Sequence, residues 1–356
     1  MTPFSHPLYK EDLQLLAASA FIPWSRLAGK TLILSGGTGL IGSLLVDAIM
    51  QKNLQDGLNC DIYAIGRNEE RARERFLQWW DARNFHFIQA DVNKAFAEPS
   101  FGEDADFVIH LASNTHPVAY ATDPIGTITT NIIGTQNMLE LAAGSEKKCR
   151  FIFASSNEIY GENRGDVECF HESDLGYIDC NTLRAGYTES KRCGEALCQA
   201  YRKQKDLDVV IARFTRSYGP GLLQSDTKAL SQFIRNALHG EDIVLKSKGN
   251  QLYSYTYAAD AVAGLLTVML KGIDGEAYNI AEERFDIPLA EIAAILARLA
   301  GRNVVFDLPD AVEAAGFSKA TKARLDGSRL RALGWKAGYN MEEGLKRTLM
   351  ILSNAK

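Results

Sequence analysis

The sequence predicts an α/β fold in which a doubly wound parallel sheet is followed by a smaller C-terminal α/β lobe. Short, almost entirely apolar segments alternate with helical patterns through the first half of the chain. Strands that are apolar on both sides are typical of parallel sheets covered by helices on both faces. A glycine-rich turn follows the first apolar segment, and the alternation loosens after Gly221.

The expected elements follow one another in strand–helix order. Strands are predicted at 31–35, 61–65, 86–90, 107–111, 150–154 and 209–212, with helices at 43–51 and 69–80 among them. The second lobe is predicted to hold helices at 228–238, 260–270, 289–300 and 341–352 and short strands at 243–245 and 304–306. In such folds ligands bind outside the carboxyl ends of the strands, here in the cleft between the two lobes.

The domain boundaries follow from this pattern. Residues 29–218 are predicted to form the sheet domain, which 252–281 rejoins, and residues 219–251 and 282–356 the second lobe. Residues 1–28 are predicted to be an extension that packs on the domain or on a partner subunit, because several of their leucines share one helical face.

Composition narrows the class of protein. The 356 residues carry a net charge of −5, which argues against nucleic acid or an anionic membrane as the main partner. The six cysteines show no CxxC pair, so reduced thiols in the cytoplasm are expected. No apolar run approaches the length of a membrane span, and the N-terminus lacks a signal-peptide layout. No His, Cys or Asp cluster has metal-ligand spacing, so no metal is predicted.

The glycine-rich turn has the spacing of a dinucleotide-binding loop. Gly36, Gly39 and Gly42 form GxxGxxG between the first strand and the first helix. The glycines allow the tight turn, the approach of a pyrophosphate and close helix packing, and the helix N-terminus favours phosphate. A purely structural turn is the alternative. The strand–loop–helix context favours a Rossmann domain, whose loop includes Thr38, Leu40 and Ile41.

The second and third strands end near the expected adenosine. Gly66-Arg67-Asn68 lacks the acidic residue that binds the 2′-hydroxyl of NAD. Arg67 is suited to pair with a 2′-phosphate, which favours NADP over NAD; stacking on adenine or solvation is the alternative. Asp91 is predicted to accept a hydrogen bond from the adenine amine or to cap the following turn.

A Tyr and a Lys lie four residues apart on one helical face, at Tyr187 and Lys191. A lysine ammonium beside a phenol lowers the pKa of that phenol, so Tyr187 is predicted to remove a proton from an alcohol while a nicotinamide takes the hydride. YxxxK alone is common. It gains weight here from Ser155 and Ser156 at a strand end, where a hydroxyl can bridge substrate and Tyr187.

At these residues the chain resembles the extended short-chain dehydrogenases, the NAD-dependent epimerase/dehydratase family that acts on nucleotide sugars. The similar segments are GGTGLIG, Asp91-Val92, HLAS at 110–113, NIIGTQNMLE from 131, SSNEIYG at 155–161, RAGYTESK at 184–191, RFTRSYGPG at 213–221 and YTYAADAVAGL at 255–265. The resemblance implies a Ser156, Tyr187 and Lys191 catalytic centre, a tightly bound dinucleotide and a homodimer. It also implies cofactor contacts at Val92, Leu111, Ala112, Ser113 and Asn131.

Within the family the chain looks most similar to UDP-glucuronate decarboxylases. HLASNTHPVAYATDP and RAGYTESKR match their segments, and Glu158 falls where they keep a carboxylate. Glu158 is predicted to act as a base at C5 or to position the substrate, with a structural hydrogen bond as the alternative. Asn157 replaces the acid of the 4,6-dehydratases and cannot protonate a leaving hydroxyl, which disfavours dehydration. The predicted substrate contacts are His116 (or solvent exposure), Tyr120, Ser155, Asn157, Arg184, Thr215, Arg216 and Tyr253.

Three positions depart from the pattern that this resemblance leads one to expect. Tyr253 stands in place of an Arg, Arg216 in place of an Asn, and Gly221 in place of an Arg. Arg216 is placed to supply the missing charge from another side. The sequence therefore leaves three functions open: decarboxylation of UDP-glucuronate, 4-epimerisation of a nucleotide sugar, and non-catalytic sensing of a dinucleotide.

Overall fold

The computed structural model describes residues 3–96, 104–115, 120, 122–222, 226–307 and 322–354. Its strands are β1 (Thr31–Ser35), β2 (Asp61–Gly66), β3 (Phe85–Gln89), β4 (Phe107–His110), β5 (Arg150–Ser156), β6 (Asp208–Phe214), β7 (Arg216–Tyr218), β8 (Ile243–Leu245), β9 (Leu252–Tyr253), β10 (Tyr255–Tyr257), β11 (Ala277–Ile280), β12 (Ile287–Pro288), β13 (Val304–Phe306) and β14 (Lys322–Ala323). Its helices are α1 (Pro7–Ala17), α2 (Leu40–Asp56), α3 (Glu69–Arg75), α4 (Pro124–Ala143), α5 (Ala185–Lys205), α6 (Ala229–His239), α7 (Ala258–Lys271), α8 (Leu289–Ala300), α9 (Ser328–Ala332) and α10 (Met341–Ser353).

A seven-stranded parallel sheet confirms the predicted doubly wound fold. Its strand order is β3-β2-β1-β4-β5-β6-β11, and every neighbouring pair is parallel. The order reverses between β1 and β4, so a crevice opens there at the carboxyl edge of the sheet. The glycine loop and the segment after β4 both start at this crevice.

Alternate residues of each central strand enter different cores. On β1, Leu32 and Leu34 pack on the side of α2 and α7, whereas Ile33 packs on the side of α4 and α5. On β5, Ile152 belongs to the first core and Phe153 to the second. Successive side chains of a strand point to opposite faces, so a strand buried on both faces must be apolar throughout.

The helix predicted over 69–80 ends earlier, at Arg75. Phe76 and Trp79 are buried, and the indole Nε1 of Trp79 donates to Asp47 Oδ1 of α2 at 2.8 Å. Anchoring these aromatic residues against α2 and β3 turns the chain inward, so packing overrides the helical pattern at this point.

The C-terminal lobe is built from short strands and the helices that cover them. β8 pairs with β13, β7 pairs with β10, and β12-β9-β14 form a third small sheet. Helices α6, α8 and α10 pack against one another. β11 returns to the main sheet beside β6.

Helix α1 lies against both parts of the molecule, in contact with α2, α7 and α10. The Tyr9 hydroxyl donates to Asp47 of α2 at 2.6 Å. The buried Asp12 carboxylate accepts from Tyr257 at 2.6 Å and from Tyr339 at 2.9 Å, and pairs with Arg347 of α10 at 2.7 Å. The N-terminal helix is therefore packed into the body of its own chain. Across the described residues, no helix is both long and apolar enough to cross a membrane.

Candidate active site

The glycine loop closes tightly over the carboxyl end of β1. Gly36 has a φ of 75°, and a Cβ at Gly42 would lie 2.4 Å from the carbonyl oxygen of Gly36. Helix α2 begins at Leu40, directly after Gly39, and no side chain caps its first turn. Free backbone N–H groups and the helix dipole therefore face the crevice, and the loop fits a pyrophosphate.

The segment after β4 forms the opposite wall of the crevice. A Cβ at Gly36 would lie 2.7 Å from the Ala112 nitrogen and 2.8 Å from the Leu111 carbonyl carbon. Ser113 Oγ donates to Asn131 Oδ1 at 2.7 Å, and Asn131 Nδ2 donates to Ser190 Oγ at 2.9 Å. Asn131 is fully buried and joins this wall to helix α5, one residue before Lys191.

The predicted adenosine residues lie at the far side of the loop. Arg67 follows β2 and is exposed, and its guanidinium forms no ion pair among the described residues. Asp91 Oδ1 accepts from the Asn93 nitrogen at 3.0 Å, so Asp91 caps the following turn, which was one of its two predicted roles. Val92 is buried against Gly134 of α4.

Tyr187 and Lys191 are buried on the first turns of α5, with 5% and 2% of their surface exposed. Lys191 Nζ donates to the Ala154 carbonyl oxygen of β5 at 2.8 Å. Burial lowers the pKa of Lys191 to about 7. Burial raises the pKa of Tyr187 to about 12, against the opposing effect of a hydrogen bond with Ser156. Lys191 is not among the groups that shift the pKa of Tyr187 here, so the lowering of that pKa by Lys191 stays a prediction.

The two serines that end β5 point in opposite directions. Ser156 hydrogen-bonds with Tyr187 and also accepts from the Glu158 nitrogen at 3.2 Å. Ser155 Oγ instead donates to Glu195, whose carboxylate binds Arg213 at 2.7 and 2.9 Å. Ser155 therefore lies on the side of the sheet away from Tyr187, since adjacent residues of a strand face opposite sides.

One carboxylate faces two guanidinium groups close to Tyr187, and its own charge and that of Arg184 act on the Tyr187 phenol. Glu158, in the 3-10 turn Asn157–Tyr160, has Oε2 2.7 Å from Arg184 Nη2 and Oε1 3.9 Å from Arg216 Nη2. The Arg184 guanidinium lies 4.9 Å from the ring centroid of Tyr120. Tyr120 in turn stacks on Tyr187 at 4.8 Å and 27°. Glu158 is thereby connected to Tyr187 through Arg184 and Tyr120.

Arg216 rests on the ring of Tyr253, with its guanidinium carbon 3.6 Å from the ring centroid. The two residues that depart from the family pattern, Arg216 and Tyr253, are therefore in direct contact. Nη1 of Arg216 and Nη1 of Arg184 are both buried without a hydrogen-bond partner among the described residues. One carboxylate facing two guanidinium groups leaves a net positive charge, which is suited to an anionic ligand group.

Of the three other predicted substrate contacts, Asn157, Thr215 and His116, the structure describes the first two. Asn157 is buried, and its Oδ1 accepts from Ser156 Oγ at 3.4 Å. The Thr215 hydroxyl is 2.5 Å from that of Thr256, which donates to the Ile280 carbonyl oxygen, so Thr215 binds the protein interior rather than the cleft. His116 lies outside the described residues.

The surroundings of two histidines, His110 and His171, could not be inferred from residue spacing in the sequence. His110 is buried with Nδ1 2.7 Å from Ser35 Oγ, and burial lowers its pKa to about 3, so it is a neutral structural residue. Cys169, His171 and Asp326 bring one ligand atom each within 4.8 Å of the others. The Cys-x-His spacing was the available signal, but Asp326 is too distant in sequence for it to be recognised.

The fold and this constellation define a nucleotide-dependent enzyme of the short-chain dehydrogenase type. Residues 32–281 match the NAD dependent epimerase/dehydratase family, and the chain belongs to that family. Its nicotinamide dinucleotide fits the glycine loop.

Two curated relatives are similar over most of the chain. UDP-glucuronic acid decarboxylase 1 of Danio rerio is 32% identical over 91% of this chain and 73% of its own length. UDP-glucuronic acid decarboxylase 3 of Arabidopsis thaliana is 31% identical over 88% of this chain and 86% of its own length.

Solved structures are similar in fold. UDP-glucuronic acid 4-epimerase of Bacillus cereus, in complex with UDP-glucuronic acid and NAD, has a TM-score of 0.77 and 23% identity, covering 92% of this chain and 100% of that chain. UDP-glucose 4-epimerase of Thermotoga maritima, with UDP-glucose, has a TM-score of 0.76 and 24% identity, covering 91% and 99%.

Proposed function

We propose that this protein decarboxylates UDP-glucuronate, or a closely related nucleotide sugar acid, by transient oxidation at C4. The observation that carries the proposal is the Glu158–Arg184–Arg216 cluster beside Tyr187. Two guanidinium groups with buried unpaired nitrogens are suited to a substrate carboxylate. The curated relatives at 31–32% identity, which are decarboxylases of this class, support the same assignment.

Tyr187 is proposed to hold and move the proton of the C4 hydroxyl. The bound dinucleotide supplies reversible oxidation at C4. Ser156 hydrogen-bonds with Tyr187 and orients the same hydroxyl. Burial raises the pKa of Tyr187 to about 12, and a positive charge beside its phenol would lower that pKa and favour proton transfer.

Glu158 and the two arginines are proposed to serve the C5–C6 step. A 4-keto group accepts the electron pair of the breaking C5–C6 bond, carbon dioxide leaves, and a proton is added at C5. Arg184 and Arg216 hold the carboxylate in the orientation that this cleavage needs. Glu158 pairs with both guanidinium groups and is proposed to exchange the C5 proton.

The test is to incubate the protein with UDP-glucuronate and either dinucleotide, and to measure evolved carbon dioxide and the sugar product by NMR. We expect a UDP-pentose. Glu158→Gln should lower kcat by about 100-fold or more, the usual loss for a general acid–base group. Glu162→Gln, four residues away and outside the cluster, is the matched control and should keep full activity.

A second candidate is 4-epimerisation, because the Ser156, Tyr187 and Lys191 centre is sufficient for it. A UDP-galacturonate product without carbon dioxide would select this reaction and reject decarboxylation. Full activity of Glu158→Gln would remove the reason for C5 or C6 chemistry. If Tyr187→Phe changes nothing and no nucleotide sugar alters the bound dinucleotide, the protein is not an enzyme of either kind.

The remaining assignments are the cofactor type, the assembly and the compartment. Arg67, exposed and outside any ion pair among the described residues, supports NADP, and comparison of the two dissociation constants tests it. Ile125 and Ile133 of α4 and nearby Leu183 are exposed by 75%, 41% and 74%, which supports a homodimer through α4 and α5. The six free cysteines support a reducing, cytoplasmic location.

A further inference from the structure

We propose that Cys169, His171 and Asp326 form a binding site for one divalent transition-metal ion of the Zn²⁺ class. One ligand atom from each lies within 4.8 Å of the others, and His171 Nδ1 is 3.5 Å from Asp326 Oδ1. Thiolate, imidazole and carboxylate together select Zn²⁺ over Mg²⁺ or Ca²⁺, which prefer oxygen ligands alone. Three protein ligands leave a fourth position for water.

The backbone holds these ligands in place before any ion binds. Phe170 pairs with Leu325 in a parallel bridge, with the Phe170 nitrogen donating to Arg324 O at 2.8 Å and the Asp326 nitrogen donating to Phe170 O at 2.9 Å. Phe170 and Leu325 point into a buried cluster with Tyr160. Their sequence neighbours therefore face the other side, which brings Cys169, His171 and Asp326 onto one surface.

The charges around the cluster also favour a cation. Asp326 lies 3.5 Å from His171, and Glu283 accepts from the adjacent Gly327 nitrogen at 2.8 Å, so a second carboxylate lies beside the cluster. The neighbouring cations are already engaged: Arg324 pairs with Asp286 at 2.7 Å, and Arg331 pairs with Glu283. A bound divalent ion would neutralise the Asp326 carboxylate and stabilise the thiolate of Cys169.

Such an ion would cross-link two distant parts of the chain. Cys169 and His171 belong to the segment between β5 and α5, whereas Asp326 precedes α9. The ring of Phe170, between the two ligands, stacks on Tyr160 at 4.9 Å, and Tyr160 ends the turn that carries Glu158. The ion would therefore stabilise the loop beneath the substrate cleft without touching the Tyr187 centre.

The experiment is calorimetric titration of Zn²⁺ into chelator-treated full-length protein, with Co²⁺ absorbance as a second readout. We expect one ion per chain, a thiolate-to-cobalt charge-transfer band and a saturable rise in Tm. Mg²⁺ should produce none of these effects. Cys169→Ser and His171→Asn should each weaken binding by more than about 100-fold, since each removes a ligand rather than an outer partner.

The control is Cys180→Ser, which removes an exposed thiol from the same connecting segment and should leave binding unchanged. Circular dichroism and dinucleotide binding establish that each variant is folded. Absence of saturable Zn²⁺ binding to the wild-type protein overturns the proposal. So does equal binding by folded Cys169→Ser and His171→Asn, or loss of binding in Cys180→Ser.

Discussion

Lys191 illustrates what burial does to a single charged side chain in this site. Its ammonium lies 2.8 Å from the Ala154 carbonyl oxygen and 5.0 Å from the ring centroid of Phe153, in a nearly closed environment. The nearby Glu195 carboxylate favours the charged form, but desolvation outweighs it, and the pKa falls to about 7. Lys191 is therefore close to losing its charge near neutral pH.

This burial predicts a pH dependence of stability. The pKa of Lys191 is about 7 when folded and 10.5 when unfolded, so between these values the unfolded chain binds more protons and stability rises with pH. From pH 6 to pH 9 the contribution is on the order of 2 kcal/mol. Urea unfolding of the ligand-free protein should show this rise, and Lys191→Met should remove it. Lys203→Met, an exposed change on the same helix, should leave the rise intact, and an unchanged rise in Lys191→Met would contradict the assignment.

At the same scale, the sequence predicted which residue types would meet but not how they would be oriented. Both Ser155 and Ser156 were predicted to lie at the site because they end a strand, yet only Ser156 reaches Tyr187, because strand alternation sends Ser155 to Glu195. The departures at Arg216 and Tyr253 were visible in the sequence. Their contact at 3.6 Å depends on the pairing of β7 with β10 and the path from β9, which no local pattern encodes.

Among the elements, the turn from β1 into α2 leaves no room for a side chain at Gly42. A methyl group on Gly42 would collide with the Gly36 carbonyl oxygen, which is fixed in turn against Ala112. The Gly36 oxygen and the Ala112 nitrogen are both backbone atoms, so neither can move aside as a flexible side chain could. Helix α2 can approach the sheet this closely only because Gly42 has a hydrogen atom in place of a side chain. The position of the free N–H groups of α2 depends on that close approach.

Gly42→Ala should therefore displace the loop. We expect a loss of about 1–3 kcal/mol in unfolding free energy from overpacking and at least a roughly tenfold loss of dinucleotide affinity, since a charged hydrogen bond is disturbed. Chemical denaturation and fluorescence titration measure the two effects. Gly338→Ala, whose new Cβ would have its nearest contact at an ordinary 3.5 Å, is the control. Normal dinucleotide affinity in Gly42→Ala would show that the loop does not carry the phosphates.

The strands and helices were predicted correctly where a local residue pattern alone determines the structure. The apolar strands are recognisable because both faces are buried, and the predicted β1 span of 31–35 is the observed one. Prediction failed where distant packing decides, as at Arg75, where the burial of Phe76 and Trp79 ends a helix that its charge pattern would have continued. The Phe170–Leu325 bridge likewise joins segments too far apart for any sequence window.

Across the whole molecule, α1 connects the sheet domain to the C-terminal helix. Tyr9 bonds to Asp47 on α2, while Asp12 bonds to Tyr257, Tyr339 and Arg347. The Asp12 and Arg347 side chains are 2% and 10% exposed, so their charges are held away from water. Removal of one partner would leave the other charge buried and uncompensated.

Asp12→Ala should therefore destabilise the protein by about 3–5 kcal/mol, the range for breaking a buried ion pair. The adjacent Glu11 also contacts Arg347, at 3.1 Å, but is 51% exposed. Glu11→Ala should cost less than about 1 kcal/mol, as for other surface pairs. Urea denaturation of the two variants compares them directly, and equal losses would show that burial is not what gives Asp12 its effect.

The contacts of α1 also determine when, during synthesis of the chain, this helix can complete its packing. Asp12 and its partner Tyr339 are 327 residues apart, which at roughly 5–20 residues per second is about 16–65 s of translation. Throughout that interval the buried face of α1, with Tyr9, Leu13 and Leu16, lacks the α10 helix that completes its cover. Helix α1 therefore reaches its final place only after α10 has left the ribosome.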